Sequence, residues 1–231
     1  MSNGEQVALV TGASRGIGRA TARALAAAGM RVFLMADGTR EELEAAAAEC
    51  EAAHPQRAEM QWGLYDLAAS DAPRAVVAAA LAAYGRVDVL VSNAGMRMRR
   101  RFEECSAADF DQAVAVNLRA SFLLAQAAAP AMRAAGGGRI IFMASQLGIV
   151  ADAGASLYGM TKAALIHLAK SLALELAADG IMVNAVSPGP IGTEGGGQAR
   201  DPALLTRRMA AIPLKRLGRA EEVAAAVTFL A

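Results

Sequence analysis

The sequence predicts an α/β fold built on a doubly wound parallel sheet, and three features carry that expectation. Six short runs rich in β-branched and apolar residues alternate with longer Ala-, Leu- and Glu-rich segments of helical periodicity, the alternation that produces a parallel sheet. Two of the runs, VDVLVS and GRIIFMAS, are almost continuously apolar, as strands covered by helices on both faces must be. The first run leads through a glycine loop, TGASRGIG, straight into the first helical segment.

In chain order the strands are expected at Val7 to Val10, Arg31 to Ala36, Glu59 to Leu64, Val87 to Ser92, Arg139 to Ser145 and Ile181 to Ser187. Helices are expected at Ile17 to Ala28, Glu41 to Ala53, Ala72 to Tyr84 and from Ala107 toward Ala135. Ser106 followed three residues later by Asp109 reads as a capping box opening the last of these, and Pro130 is expected to kink or end it. Loop signals are Gly136, Gly137 and Gly138, the SPGP turn at 187 to 190, and the EGGG run at 194 to 197, which reads as a lid or a connector. Trp62 and Met60 are expected in the core, Met143, Met160 and Met182 as packing, and His167 as a packed or interface residue.

At 231 residues the chain is long enough for one sizeable core, and a single domain over 1–231 is expected. Hydrophobic residues make up 55% and aromatics 4%, so the core must be aliphatic. A formal net charge of +1 supplies no broad field for nucleic acid or an anionic membrane. The longest apolar stretch, Ala120 to Met132, is interrupted by Gln126 and Pro130 and falls short of the ~20 residues of a membrane span. With no leader pattern before the first strand, a cytoplasmic protein is expected. Cys50 and Cys105 stand alone, with His54 and His167 as the two histidines, so neither a metal site nor a Cys/His nucleophile is expected.

The glycine loop sits where a phosphate-cradling loop must sit, after a strand and at the start of a helix. Gly12, Gly16 and Gly18 permit a tight turn and close approach of backbone to a pyrophosphate, with Ser14, Arg15 and Ile17 between them. Three glycines can also make an ordinary strand-to-helix turn; the flanking elements favour the dinucleotide. No Lys-Ser/Thr pair follows, so a nucleotide-hydrolysing loop is excluded. Asp37, 21 positions after Gly16, is placed to bind ribose hydroxyls, which favours NAD over NADP. Asp37-Gly38 also reads as a turn dipeptide, and Arg15 and Arg40 offer an alternative site for a 2′-phosphate.

Tyr158 and Lys162, four apart on one helical face, form a candidate acid-base pair in which the ammonium lowers the phenol pKa. Such pairs also occur on solvated helix faces, so their company decides. Ser145, ending the fifth strand at the carboxyl edge of the sheet, can polarise a substrate carbonyl, and no Gly-x-Ser-x-Gly elbow marks it as a hydrolase nucleophile.

TGASRGIG, SNAG at 92 to 95, Asn117, Ser145, the YGMTK pattern and PGPIGT at 188 to 193 resemble, in that order, the classical short-chain dehydrogenase/reductases, with Ser145 and Tyr158 at the family's common spacing. The resemblance runs from about Val7 to Ala231 and implies a single Rossmann-type domain that interconverts a ketone and a secondary alcohol. It implies that Tyr158 is the general acid/base, that Lys162 lowers its pKa while bonding the nicotinamide ribose, that Ser145 orients the carbonyl, and that Asn117 holds a relay water. It further implies that Asn93, Ala94 and Gly95 line the cofactor channel, that Asp66 touches the adenine, and that Ile191 and Thr193, beside Pro188 and Gly189, fix the carboxamide. The family continues past the final helix with another strand, so a C-terminal strand is expected to be missing after Ala231, and the full-length form is expected to be a homodimer or homotetramer.

Two alternatives stand beside a ketone/alcohol oxidoreductase. One is a 3-ketoacyl reductase of the same family, although such enzymes often carry basic residues where this chain has Gly136 and Asp179. The other is a non-catalytic dinucleotide-binding sensor or scaffold, a class that commonly loses the tyrosine or lysine retained here. A methyltransferase or flavoprotein would account for the glycine loop alone. The MRMRRRF run, with Arg97, Arg99, Arg100 and Arg101, reads first as a solvated loop and, more sharply, as a binder of an anionic substrate tail.

Overall fold

A computed structural model describes residues 5–193, 206 and 209–231. Six parallel strands form the main sheet: β1 (Val7–Thr11), β2 (Arg31–Ala36), β3 (Gln61–Leu64), β4 (Val89–Ser92), β5 (Gly138–Met143) and β6 (Ile181–Val186). Their order is β3-β2-β1-β4-β5-β6, with Leu9 opposite Leu90 at the central pair. The helices are α1 (Gly16–Ala27), α2 (Arg40–Ala53), α3 (Ala72–Tyr84), α4 (Ala107–Val114), α5 (Ala120–Ala134), α6 (Ser156–Glu175) and α7 (Ala220–Leu230). A small second sheet pairs β7 (Ile191–Gly192) with β8 (Gly218–Arg219) in parallel.

The period-two alternation of strand side chains divides the interior into two cores. Leu9, Phe33, Leu90, Ile140 and Phe142 point to one face, where they meet Val76 of α3, Leu124 of α5 and Leu165 of α6. Val10, Leu34, Val91, Ile141 and Met143 point to the other, against Leu25 of α1, Leu43 of α2 and Val227 of α7. Both faces are therefore covered, which is why the central strands read as continuous apolar runs.

The order reverses between β1 and β4, and this is where an open α/β sheet forms its ligand crevice. The two strand ends are tied together there by the fully buried Thr11. Its Oγ1 accepts from the N–H groups of Asn93 and Ala94, both at 3.0 Å, while Asn93 Nδ2 donates to the carbonyls of Thr11 (2.9 Å) and Gly12 (3.3 Å).

Several expectations need correction. Pro130 neither ends nor interrupts α5, which runs on to Ala134; the irregularity in the long helical stretch is instead a single π-helical turn, Ala115–Arg119, that carries Asn117. The capping box of Ser106 and Asp109 is present. β5 stops at Met143, so Ser145 lies just beyond the strand rather than at its last position, and Gly138 belongs to the strand. Met60 is buried, whereas Trp62 is only partly buried and lies beneath the Arg40 guanidinium. Met143 is packed, but Met160 and Met182 are about half exposed; His167 is exposed, which removes the packed reading and leaves the interface one. The EGGG run falls outside the described residues. Among the described residues no helix is long and apolar enough to cross a membrane.

Candidate active site

A cleft of about 1330 Å³ follows the carboxyl edge of the sheet. Its volume exceeds the ~300–1,000 Å³ typical of a small-molecule pocket, leaving room for a dinucleotide together with a substrate. Gly12, Ser14, Arg15, Gly16, Ile17, Gly18, Asp37, Asp66, Asn93, Ala94, Gly95, Ser145, Tyr158, Lys162, Pro188, Gly189, Ile191 and Thr193 all line it. Asn117 alone of the expected site residues does not; it is fully buried behind Gly95.

The glycine loop fits an anion. Helix α1 begins at Gly16 with no side chain capping its first turn and no carboxylate in it. Helix α2, in contrast, opens with a complete capping box from Thr39 and Glu42. Uncapped N–H groups and a bare positive helix end are what a pyrophosphate requires. Gly12 and Gly16 take φ of +66° and +56°, and a Cβ on Gly18 would stand 2.0 Å from the Gly12 carbonyl oxygen, so the loop's shape excludes larger residues. Thr193 faces the same loop, within 3.3 Å of where a Gly16 Cβ would lie.

At the other end of the cleft, α6 presents Tyr158 and Lys162. Lys162 is 4% exposed, and its Nζ donates to the Met143 carbonyl at 2.7 Å while lying 5.6 Å from the centre of the Tyr158 ring. Burial depresses its pKa from the usual 10.5 to about 8. Tyr158 and Ser145 stand side by side on the cleft wall, the serine helping to lower the phenol pKa, and Ser145 Oγ accepts from the Leu147 N–H at 3.2 Å. The expected lowering of the tyrosine pKa is not met. Burial raises it, and Ser145 and the Arg97 charge only partly oppose that rise. Lys162 does not contribute to that shift; its ammonium is turned to the Met143 carbonyl.

Asn117 is held from every side. Its Oδ1 accepts from the Met96 N–H at 2.8 Å, and its Nδ2 donates to the Met96 carbonyl (3.0 Å) and to Thr161 Oγ1 (3.1 Å). The π-turn, the loop after β4 and α6 are thereby joined beside Lys162. A Cβ on Gly95 would approach Asn117 Oδ1 to 3.1 Å and Lys162 Nζ to 3.4 Å, so the two side chains meet across that glycine.

The family model for short chain dehydrogenases matches residues 6–203. The chain belongs to the short-chain dehydrogenase family. It is 37% identical over 224 residues to a 3-oxoacyl-[acyl-carrier-protein] reductase from Staphylococcus aureus, covering 97% of this chain and 89% of that one. It is 38% identical over 226 residues to a D-threitol dehydrogenase from Mycolicibacterium smegmatis, covering 98% and 85%. A solved structure from Beutenbergia cavernae, described as an NAD(P)-dependent gluconate 5-dehydrogenase with bound NADP, superposes with a TM-score of 0.91 at 34% identity, covering all of this chain and 90% of that one. The protein is therefore a Rossmann-fold oxidoreductase of the NAD(P)-dependent short-chain type.

Sequence reasoning missed the outer part of the site. Met96, Gln112, Val116 and Arg216 also line the cleft. They come from separate loops and helices without a shared motif, so only the folded chain brings them together. Of the arginine run, Arg97 and Arg99 line the cleft while Arg100 and Arg101 do not. Arg99 is paired with Asp152, Arg100 with Asp109 and Arg101 with Glu103.

Proposed function

We propose that the protein interconverts a ketone and a secondary alcohol, with Tyr158 as the group that gives or takes the proton. The observation that carries this reading is Tyr158 and Ser145 together on the cleft wall, with the buried Lys162 one helical turn away. Tyr158, held neutral by burial, is ready to donate to a carbonyl oxygen, and Ser145 binds the same oxygen and polarises it. Bound NAD(P) supplies or accepts the hydride. Lys162 has two ammonium donors beyond the one given to Met143, enough to hold a ribose hydroxyl and pass a proton onward. Asn117 Oδ1 keeps a second lone pair next to Lys162, which suits a relay water.

The glycine loop would hold the pyrophosphate, Asn93, Ala94 and Gly95 the channel floor, Asp66 the adenine, and Pro188, Gly189, Ile191 and Thr193 the nicotinamide side. NAD is the favoured cofactor. Asp37 faces the cleft, whereas Arg40 stacks on Trp62, 4.9 Å from its ring centre, and pairs with Glu44 at 3.3 Å. Arg15 lines the cleft and is the residue through which NADP would be accepted, as the NADP of the Beutenbergia neighbour illustrates. The reading includes a cytoplasmic setting, a single domain over 1–231 and a homodimer or homotetramer.

A 3-ketoacyl reductase is the second reading, favoured by the staphylococcal relative's activity. The expected lack of basic charge near Gly136 and Asp179 needs refinement, because Arg133 is there but paired with Asp179 at 2.6 Å.

The test is separate titration of NADH and NADPH, followed by nicotinamide fluorescence, with Asp37→Ala and Tyr158→Phe beside the wild type. NADH should bind more tightly than NADPH, and Asp37→Ala should weaken it about tenfold. Tyr158→Phe should bind the dinucleotide normally and lose at least ~100-fold in turnover on a panel of ketones. Unimpaired turnover by Tyr158→Phe would sink the assignment.

A further inference from the structure

We propose, resting on the NAD reading above, that Glu42 is a second determinant of the cofactor: its carboxylate bars the 2′-phosphate of NADP from the corner where Asp37 takes the ribose. Two helices start beside the adenosine end of the cleft, and the sequence finishes them in opposite ways. Helix α1 has neither a side-chain cap nor a carboxylate in its first turn. Helix α2 has both, with Glu41 and Glu42 in its first turn. A bare helix end attracts an anion, whereas a capped and acidic one turns it away. One end is thus left for the pyrophosphate that both dinucleotides share, and the other is closed to the phosphate that NADP alone carries.

The capping box also fixes where the second charge stands. Thr39 Oγ1 accepts from the Glu42 N–H at 3.3 Å, and Glu42 Oε2 accepts from the Thr39 N–H at 3.4 Å, so the carboxylate is folded back toward the end of β2. A Cβ on Gly38 would collide with Glu42 Oε2 and stand 3.5 Å from Ser14 Oγ. The carboxylate therefore reaches the gap between Asp37, which follows β2, and Ser14 of the glycine loop, two residues that line the cleft. Near that loop the charges of the cleft wall are Asp37 and Asp66 against Arg15, and Arg40 is committed to Trp62 and Glu44. A ribose hydroxyl can donate its proton to a carboxylate there. A 2′-phosphate has no proton to spare and brings close to two negative charges, which meet Asp37 and Glu42 together.

The experiment titrates NADH and NADPH separately into wild type, Glu42→Gln, Asp37→Ala and Glu49→Gln, followed by nicotinamide fluorescence. Glutamine keeps an acceptor for the Thr39 N–H, so the cap of α2 survives while the charge is removed, and equal melting temperatures check this. Glu49 lies on the same helix, pairs with Arg19 at 2.8 Å and does not line the cleft, so its variant controls for loss of one charge. Glu42→Gln should tighten NADPH about tenfold at low salt and leave NADH within about twofold. The gain should fade toward ~1 M salt, because a part-exposed charge is screened. Glu49→Gln should change neither affinity. An unchanged NADPH affinity in Glu42→Gln, or an equal gain for both dinucleotides, overturns the Glu42 assignment, while Asp37→Ala still decides the NAD reading. Tighter binding of NADPH than NADH by wild type overturns the NAD reading; a further gain for NADPH alone in Glu42→Gln then upholds the Glu42 assignment, and the lack of one overturns it. Failure of both dinucleotides to bind any of the four proteins overturns both.

Discussion

Lys162 shows at the scale of one residue how the site conflicts with stability. Its pKa is depressed from 10.5 to about 8 because the protein buries an ammonium. The folded state then binds fewer protons than the unfolded one between those values, so the penalty is fully present below about pH 8 and is relieved as pH rises toward 10.5. The fall converts to a cost of about 3 kcal/mol at neutral pH. Lys162→Met keeps the volume but leaves the Met143 carbonyl without its donor, which returns about 1–2 kcal/mol of that gain. The variant should therefore be inactive yet melt a few degrees higher at pH 7, with the difference vanishing between pH 8 and 10.5, where the remaining penalty equals the lost hydrogen bond, and reversing above; a lower melting temperature at pH 7 contradicts the account. Ser145→Ala removes the hydroxyl that opposes the burial-driven rise of the Tyr158 pKa. Alcohol oxidation, which needs the deprotonated tyrosine, should then rise at higher pH than in wild type, while ketone reduction should fall about 100-fold through loss of the polariser. An unmoved oxidation limb would show that the serine does not reach the phenol.

At the scale of elements, the readable and unreadable parts of the sequence separate by the range of the interactions involved. The strands and the glycine loop were legible because periodicity and turn chemistry are local, and Arg31–Ala36 and Ala72–Tyr84 were placed to the residue. That Ser145, Tyr158 and Lys162 would meet at one cleft was legible through motif and spacing. The π-turn was not. Proline chemistry pointed to Pro130, yet the one bond its nitrogen cannot make back to Gln126 does not end α5, which continues to Ala134. The deviation at Ala115–Arg119 coincides with Asn117, whose partners Met96 and Thr161 lie 21 and 44 residues away. No window of sequence holds that contact. Asn117→Leu should strand the backbone N–H and carbonyl of Met96, costing about 2–4 kcal/mol in urea unfolding. It should also lower kcat more than dinucleotide affinity, because the loop it fixes borders Lys162. A variant as stable as wild type would mean that Met96 finds other partners.

Across the whole molecule, the two ends of the sheet have different tasks. The carboxyl end opens into the cleft and tolerates a buried ammonium, a raised phenol pKa and an uncapped helix. The amino end is closed by Asp88, a 7% exposed acid just before β4. Its Oδ2 accepts from the Val7 N–H at 2.8 Å, and Arg86 grips the carboxylate from two nitrogens at 2.8 and 2.6 Å. Its backbone carbonyl accepts from the Arg139 N–H, also at 2.8 Å, so one residue joins β1, β4 and β5 at the edge opposite the chemistry. Asp88→Ala leaves the Val7 N–H without its acceptor, while the part-exposed Arg86 guanidinium turns to water, which should cost about 1–3 kcal/mol of global stability. The folded fraction should still bind NADH with wild-type affinity, since Asp88 borders no part of the cleft. Urea unfolding and fluorescence titration of the same sample test both halves at once. Weakened NADH binding at unchanged stability would mean that the sheet transmits strain from one edge to the other and that the division of labour between its ends is wrong.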